Sequence, residues 1–392
     1  MIDRQEIEDK SRHFNISPTD VEKDYVYGWI LNALFSCSPL GSLLILKGGN
    51  GLRKAYLPNT RFSKDLDFSC LQHLDQGFLT RELNKICDFV ESQVGIYFST
   101  NQTIVRSKDL PAGIDAVEAR LYFKGFYGEE NITLKAQLDI TQFDKIYLPI
   151  QNREIIHPYS DSADCRAGIR CQKIEEILAS KLTTLLHRRK AIDLFDLLYS
   201  IIFTNDFSVD RLQVITTFLK KSTFEAHPTV IRDELLAVPL DDFKPLWKTI
   251  VAPLASLFSF DYVLNNFRSV IESLFGLVAA AIPALVPRFQ RRSTSSSRGP
   301  IAPSHFLWDA RSVIISSVQS HTLIELTYDG LRRLVEPYRI EYYVRKSDGT
   351  GSEYFWGYDT SGGKSGRIGI KQFFCNKIRF ARPTNISFTP RF

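Results

Sequence analysis

The chain has 392 residues, enough for two or three domains, and its 44% hydrophobic and 24% charged residues are typical of a globular protein. Six cysteines form no Cys-x-x-Cys pair and show no ligand spacing with the seven histidines, which argues against a zinc site or a disulfide framework and favours a reducing, cytoplasmic location. The N-terminus is charged, unlike a signal peptide, and the most apolar run, 273–287, is too short for a bilayer span, so we expect no membrane partner.

The net charge of +5 is unevenly distributed along the chain. From position 288 onward there are 17 Lys and Arg against 8 Asp and Glu, a net charge of +9, whereas residues 1–287 carry a net charge of −4. A basic C-terminal region suggests a polyanionic partner for that end. A basic surface without a specific ligand explains the composition equally well.

The first predicted element is a helix over 16–35. Ser17 is a suitable N-cap and Pro18 a suitable first helical residue. The apolar residues that recur at helical spacing are predicted to face the core; they are Val26, Trp29, Ile30, Ala33 and Leu34.

The segments behind this helix mix strands with helices and predict an α+β fold. In chain order they are a buried strand at 43–46, a strand at 65–69, a helix at 80–95, an alternating strand at 132–140 and a mostly helical stretch over 173–287. We therefore expect a small mixed sheet with helices, followed by a helical block.

A linker rich in Ser, Arg and Pro follows at 288–304. Beyond it, a helix at 306–319 precedes short strands separated by turn signals, the pattern of a small β-barrel or a strongly bent sheet. The expected division is therefore a core domain at 1–160, a helical domain at 161–287 that completes the active site, the linker, and a barrel module at 305–392.

Asp65 and Asp67 are the first candidates for chemistry. Residues i and i+2 of a strand point to the same face, so their two carboxylates project together and suit Mg²⁺. Asp139 ends the alternating strand on its polar face and could complete a three-carboxylate, two-metal site for in-line phosphoryl displacement. Gly48 and Gly49 leave the backbone bare to cradle phosphate. Positive charge is expected nearby from Lys47, Arg53, Lys54, Arg61 and Lys64. Each of these elements alone is also common as a turn, a strand end or a cap.

The two glycines, 15 intervening residues and then Asp-x-Asp resemble the signature of the nucleotidyltransferase superfamily. Within residues 5–205 the ordered segments SPTDVEKDYVYGWILNALF, LKGGNGLRKAY, TRFSKDLDF, LDI and KIEEILASKLTTLLHRRKAIDLFDLL resemble the AbiEii family of nucleotidyltransferase toxins. The resemblance implies transfer of NMP from an NTP, with Mg²⁺ or Mn²⁺, to an acceptor that in relatives is the 3′ end of tRNA. It also implies an antitoxin or phage-defence partner.

Several residues match the family motifs position by position. Gly48 and Gly49 match the phosphate loop, Asp65 and Asp67 the metal ligands, and the remaining matches are Arg61, Ser63, Lys181 and Asp196. Together with Asp139 they make the expected catalytic set Asp65, Asp67, Asp139, Lys181 and Asp196. The expected nucleotide-binding set is Lys47, Gly48, Gly49, Asn50, Arg61, Ser63 and Lys181.

Two positions depart from the family pattern. Asn50 stands where relatives usually have Thr or Ser, and Ile192 where they often have Arg. On a continuous helix Lys181 and Asp196 lie about 60° apart and Asp193 about 120° from Lys181, which favours Asp196 as the partner of Lys181. This geometry fails if the helix breaks at 188–190.

The C-terminal module, over about 306–392, resembles a WYL-like domain, an SH3- or Sm-like barrel that binds nucleic acid or nucleotides. Its cations, interleaved with aromatic residues, form the expected nucleic-acid-binding set Arg333, Arg339, Arg345, Lys364, Arg367 and Lys371. The alternative is that the rings form the barrel core and the cations are surface charges.

Three functions remain open from the sequence. The first is a metal-dependent nucleotidyltransferase that acts on tRNA or another RNA. The second is a nucleic-acid- or nucleotide-sensing regulator with a degenerate transferase core, because Asn50 and Ile192 depart from the family pattern. The third is a kinase-like antitoxin that acts on a partner protein.

Overall fold

The computed structural model describes residues 2–110, 114–125, 133–187, 190–222, 228–281, 308–344, 351–363, 366–389 and 391. The chain divides into two compact units. The front unit comprises residues 1–108 and 116–281, and the C-terminal unit comprises 109–115 and 282–392. The predicted linker, 288–304, lies outside the described residues, and the finer four-part division stays a prediction.

The first half of the front unit contains both helices and strands. In chain order they are α1 Arg4–Phe14, α2 Pro18–Cys37, α3 Leu40–Leu43, β1 Leu44–Lys47, α4 Gly48–Ala55, β2 Leu66–Cys70, α5 Gln76–Val94, β3 Ile104–Leu110, β4 Ile114–Phe123, β5 Leu134–Thr141, β6 Gln151–Glu154 and β7 Gly168–Cys171. The second half is helical, as predicted, with α6 Ile174–His187, α7 Ala191–Leu198, a π-helical turn Tyr199–Phe203, α8 Arg211–Ser222, α9 Pro228–Leu236, α10 Lys244–Trp247 and α11 Phe260–Ala281.

The strands described in the front unit form one mixed sheet in the order β3-β4-β5-β2-β1-β7-β6. β1 pairs antiparallel with β2, placing Lys47 opposite Asp67. β2 pairs parallel with β5, placing Asp67 opposite Asp139. The sheet confirms the predicted α+β class and brings together polar residues that are far apart in sequence.

Helix α2 lies in the core of the front unit. Ser17 caps it, its side chain accepting a hydrogen bond from the Thr19 amide, and Pro18 is the first helical residue, as predicted. The five residues predicted to face the core are all buried. Tyr25 and Tyr27 are fully buried as well, so apolar contacts surround this helix on more sides than its periodicity indicates.

A buried ionic cluster fixes α4 against α2. Asp24 accepts from Arg53 Nε at 2.7 Å, and its other oxygen lies 2.9 Å from Lys54 Nζ. Tyr159 Oη donates to the same carboxylate at 3.0 Å. Burial alone would raise the pKa of Asp24, but the charges of Arg53 and Lys54 outweigh it and hold the pKa well below its usual range. The expectation that Arg53 and Lys54 add positive charge near the phosphate is therefore wrong, because both side chains are buried in the core and share Asp24 as a partner.

The C-terminal unit contains α12 Trp308–Ser320 and strands β8 Thr322–Tyr328, β9 Leu331–Val344, β10 Gly351–Asp359, β11 Gly369–Phe374 and β12 Ile378–Ser387. The strands form a five-stranded antiparallel sheet in the order β11-β10-β9-β8-β12. Its core includes Ile314, Leu326, Val335 and the stacked rings of Phe355 and Phe373. Closure of this sheet into a barrel stays a prediction. Within the described ranges, no helix of either unit has the length and apolar character needed to span a bilayer.

Candidate active site

Three carboxylates meet at the centre of the front sheet. Asp65 directly precedes β2, Asp67 lies on β2 and Asp139 lies beside it on β5. One oxygen from each of these partly buried side chains lies within 4.8 Å of the other two. Burial, and then the charge of Asp65, raise the pKa of Asp67 to about 6. Clustered hard oxygen ligands whose charges repel one another are the chemistry that a divalent cation stabilises, so these residues fit a Mg²⁺ or Mn²⁺ site.

Two neighbours already hold Asp139. Lys108 Nζ donates to its Oδ1 at 2.8 Å, and Gln137 Nε2 donates to its Oδ2 at 2.9 Å. Lys108 also lies 3.7 Å from Glu118, across from Asp139 on β4. Sequence reasoning missed Lys108, since nothing in the pattern links β3 to this cluster; Gln137 had a signal, because it precedes Asp139 by two residues on the same strand.

Gly48 and Gly49 lie where side chains would clash with the site. Gly48 has φ +67°, and a Cβ there would lie 2.1 Å from Asp67 Oδ2. A Cβ on Gly49 would lie 2.6 Å from Ser63 Oγ and 2.7 Å from an Arg61 guanidinium nitrogen. The bare backbone therefore lets the start of α4 lie directly against these residues, in the position that a phosphate-binding turn requires.

Asn50 lies below this turn and is fully buried. Its Nδ2 donates to the Asp65 carbonyl at 2.6 Å, and its Oδ1 has no partner among the described residues. One N–H of this amide is therefore bound to the backbone of the carboxylate loop, and nucleotide binding by Asn50 stays a prediction. Asn50 thus fixes the position of Asp65.

Lys47 lies beside the carboxylates with a partner of its own. Its Nζ lies 2.6 Å from Asp144 Oδ2 and donates to Thr141 Oγ1 at 3.0 Å. Ser69 Oγ donates to the same Asp144 oxygen at 2.5 Å. Sequence reasoning missed Asp144, which belongs to the turn after β5 rather than to a motif.

A buried network of four charges joins the loop before β2 to the helical block. Arg61 donates from Nε and a terminal nitrogen to the two oxygens of Asp196, at 2.7 and 2.8 Å. Lys181 Nζ lies 2.8 Å from both Asp193 and Asp196. These contacts hold the pKa of Asp196 below its usual value despite the opposing effect of burial.

The helical geometry predicted for Lys181 was wrong in detail. α6 ends at His187 and α7 begins at Ala191, with Lys190 in an extended conformation, so the two segments are separate helices. The 60° and 120° angles of a continuous helix do not apply, and Lys181 contacts Asp193 as closely as Asp196.

Replacing Lys181 with alanine is expected to lower the free energy of unfolding by about 3–5 kcal/mol, because a buried ion-pair partner is removed and Asp193 loses its ammonium. Urea denaturation monitored by circular dichroism measures this change. Lys173→Ala, at a partly exposed lysine just before α6, is the matched control and is expected to cost less than about 1 kcal/mol. Equal losses in the two variants would contradict a structural role for the four-charge network.

In the C-terminal unit, three of the predicted nucleic-acid-binding cations have carboxylate partners. Arg333 and Lys371 pair with the buried Asp359 at 2.7 and 2.9 Å, and Arg339 pairs with Glu341 at 2.8 Å. Arg367 is exposed, while Arg345 and Lys364 lie outside the described residues. Among the four of these cations that the structure describes, three are therefore ion-paired, and the binding role of the set stays a prediction.

Comparison with known proteins identifies related sequences and folds. The sequence model of a family described as nucleotidyl transferase AbiEii toxin, type IV toxin–antitoxin system, matches residues 29–271, more than half of the chain. Two solved structures are similar. MenT4, a nucleotidyltransferase toxin from Mycobacterium tuberculosis H37Rv, has a TM-score of 0.42 and 22% identity over 58% of this chain and 72% of its own. JHP933 from Helicobacter pylori has a TM-score of 0.42 and 20% identity over 69% and 97%. No curated protein matches the chain.

Proposed function

Because the chain belongs to the AbiEii family of nucleotidyl transferase toxins, we propose that it transfers NMP from an NTP to RNA, with tRNA as the expected acceptor. We further propose that the transfer depends on a divalent cation, Mg²⁺ or Mn²⁺, bound by Asp65, Asp67 and Asp139. The observation that carries the proposal is the approach of one oxygen of each carboxylate to within 4.8 Å of the other two.

The residues of the chain divide the proposed reaction among them. The acceptor hydroxyl oxygen bonds to the α-phosphorus as the bond to the departing pyrophosphate breaks. The amides of Gly48 and Gly49 and the side chains of Ser63 and Arg61 line the turn on which the triphosphate would lie. When bound, the cation would offset the negative charge of the transferring group.

Lys181 and Asp196 act, in this proposal, by position. Asp196 keeps Arg61 oriented toward Gly49, and Lys181 holds Asp196 from the other side. Lys181 already has two carboxylate partners, so in this proposal it acts on a phosphate indirectly, through Asp196 and Arg61.

The partners and the second unit extend the proposal. The type IV toxin–antitoxin family implies an antitoxin, and a phage-defence role and a cytoplasmic location are proposed with it. For the C-terminal unit we propose a WYL-like module that recognises nucleic acid or a nucleotide. Ion pairs of Arg333, Arg339 and Lys371 with carboxylates reduce the positive charge that its described surface offers to a polyanion.

The test incubates the full-length protein with Mg²⁺ or Mn²⁺, each α-labelled NTP in turn, and total RNA beside total protein as acceptors. Label is expected in RNA, and EDTA is expected to abolish it. Label in protein alone would show that the acceptor is a protein and would contradict the proposed RNA acceptor. No label with any NTP would favour the sensing regulator, for which the departures at Asn50 and Ile192 are the motivation.

A further inference from the structure

The turn after β5 holds an exposed aromatic ring in an uncommon backbone conformation. Phe143 has φ +52°, in the left-handed region that bulky residues rarely adopt, and 54% of its surface is exposed. A phenylalanine with more than half of its surface exposed gains less from burial than a core residue, and the core of the protein does not require a strained conformation here. Residues held in this way cluster at functional sites.

The residues on either side of Phe143 fix this conformation. Gln142 accepts a hydrogen bond from the Leu74 amide at 2.5 Å, and the Asp144 amide donates to the Cys70 carbonyl at 3.1 Å. The Asp144 carboxylate also holds Lys47 Nζ at 2.6 Å. Because both neighbours are anchored, Phe143 projects outward from a rigid turn.

The ring belongs to a surface that also contains cations. Lys145 Nζ lies 4.9 Å from the centroid of the Tyr147 ring, and Lys221 Nζ lies 5.5 Å from it on the opposite element, α8. Lys221 is paired with Glu176, whose second oxygen accepts from the Tyr147 amide at 3.1 Å. Lys145 is exposed and forms no ion pair with any residue that the structure describes. We call Phe143, Lys145, Tyr147 and Lys221 the aromatic–basic surface.

This surface lies next to the carboxylate cluster. Phe143 follows Asp139 by four residues, so their Cα atoms are at most about 14 Å apart. Lys47 connects the two regions, since it lies opposite Asp67 on the sheet and contacts Asp144 in the turn.

From this arrangement, and resting on the proposed function, we propose that Phe143 stacks against an unpaired base of the RNA acceptor while the exposed Lys145 faces a neighbouring phosphate. Aromatic rings that alternate with cations suit single-stranded nucleic acid. Each base can stack on a ring, and each phosphate linkage carries a negative charge that a cation attracts. The surface would hold the acceptor end while its terminal hydroxyl lies at the carboxylates.

The test measures binding of a short single-stranded RNA that carries 2-aminopurine at its 3′ end, without NTP or metal. Stacking on Phe143 is expected to quench the fluorescence. Phe143→Gly removes the ring at a position whose positive φ glycine adopts freely, so the fold is retained. It is expected to abolish the quenching and raise the Kd about 5- to 100-fold, whereas Phe143→Tyr keeps both near wild type.

Matched controls come from an exposed ring and lysine at the far end of β4, where Lys124 lies 5.8 Å from the centroid of the Tyr97 ring. Tyr97→Ala is expected to leave binding unchanged. Lys145→Ala is expected to lower the slope of log Kd against log salt by about 0.7 for each phosphate it neutralises, and Lys124→Ala is not.

The outcomes separate this inference from the proposed function. If quenching depends on Phe143 but the protein transfers no nucleotide, RNA binding by the aromatic–basic surface is supported and the proposed transferase activity is refuted. Transfer to RNA with unchanged quenching and unchanged acceptor KM in Phe143→Gly overturns the surface and leaves the activity. Absence of RNA binding by the wild type, or an equal effect of Tyr97→Ala, also overturns the inference.

Discussion

Replacing Asp67 with asparagine is expected to lower nucleotidyl transfer at least about a hundredfold, because one oxygen ligand is lost from the three-carboxylate cluster. In EDTA the stability of the variant should equal or exceed that of the wild type, since the change removes one of two adjacent like charges. Labelled-NTP turnover and thermal melting of the same preparations measure both effects.

Asp88→Asn is the matched control for this substitution, because Asp88 is exposed on α5, outside the cluster. It is expected to change neither turnover nor melting temperature. Turnover that persists in Asp67→Asn, and again in the Asp65→Asn/Asp67→Asn double variant, would rule out the cluster as the catalytic centre. A large loss of stability of Asp67→Asn in EDTA would mean instead that Asp67 is required for folding.

Replacing Asp24 with asparagine is expected to lower the free energy of unfolding by about 3–5 kcal/mol. The change leaves Arg53 and Lys54 buried with no counter-charge, and an uncompensated buried charge is among the most destabilising single changes. Urea denaturation at neutral pH measures it. Asp20→Asn, in the first turn of the same helix, is the control and is expected to cost less than about 1 kcal/mol.

The effect of Asp24 should also depend on pH in a defined direction. Its pKa in the folded protein lies below the value of about 4 in an unfolded chain, so its contribution is complete above pH 4 and is lost as the pH falls toward the folded pKa. The stability difference between wild type and Asp24→Asn should therefore be largest at neutral pH and narrow below about pH 4. A difference that stays constant down to pH 3 would contradict the ionic origin.

Elements set by local pattern could be predicted from the sequence. The N-cap at Ser17, the buried face of α2 and the alternation that puts Asp139 on the polar side of β5 all depend on residues within one helix or strand. The two-residue period of a strand also predicted that Asp65 and Asp67 lie together, and their carboxylates do meet, although Asp65 lies just before β2 and only Asp67 lies on it.

Charge partners remote in sequence could not be predicted. Lys47 and Asp144 are 97 residues apart, and Arg61 and Asp196 are 135 apart. Periodicity gives no register between strands or helices that far apart. Sequence patterns therefore carried no signal for Lys108, and they did not show that Arg53 and Lys54 are buried with Asp24 rather than directed at phosphate. Likewise, a continuous helix favoured Asp196 alone as the partner of Lys181, whereas the separate helices α6 and α7 place both Asp193 and Asp196 against it.

The four-charge network has a consequence for the order in which the protein is made. Translation delivers β1, β2 and β5, with all three carboxylates of the cluster, well before α7 emerges from the ribosome. Until Asp196 is synthesised, Arg61 lacks the carboxylate that holds its guanidinium beside Gly49. A nascent or truncated chain that ends before α7 thus contains the acidic residues but not the oriented arginine. Such an incomplete chain is expected to lack the transfer activity proposed for the complete protein.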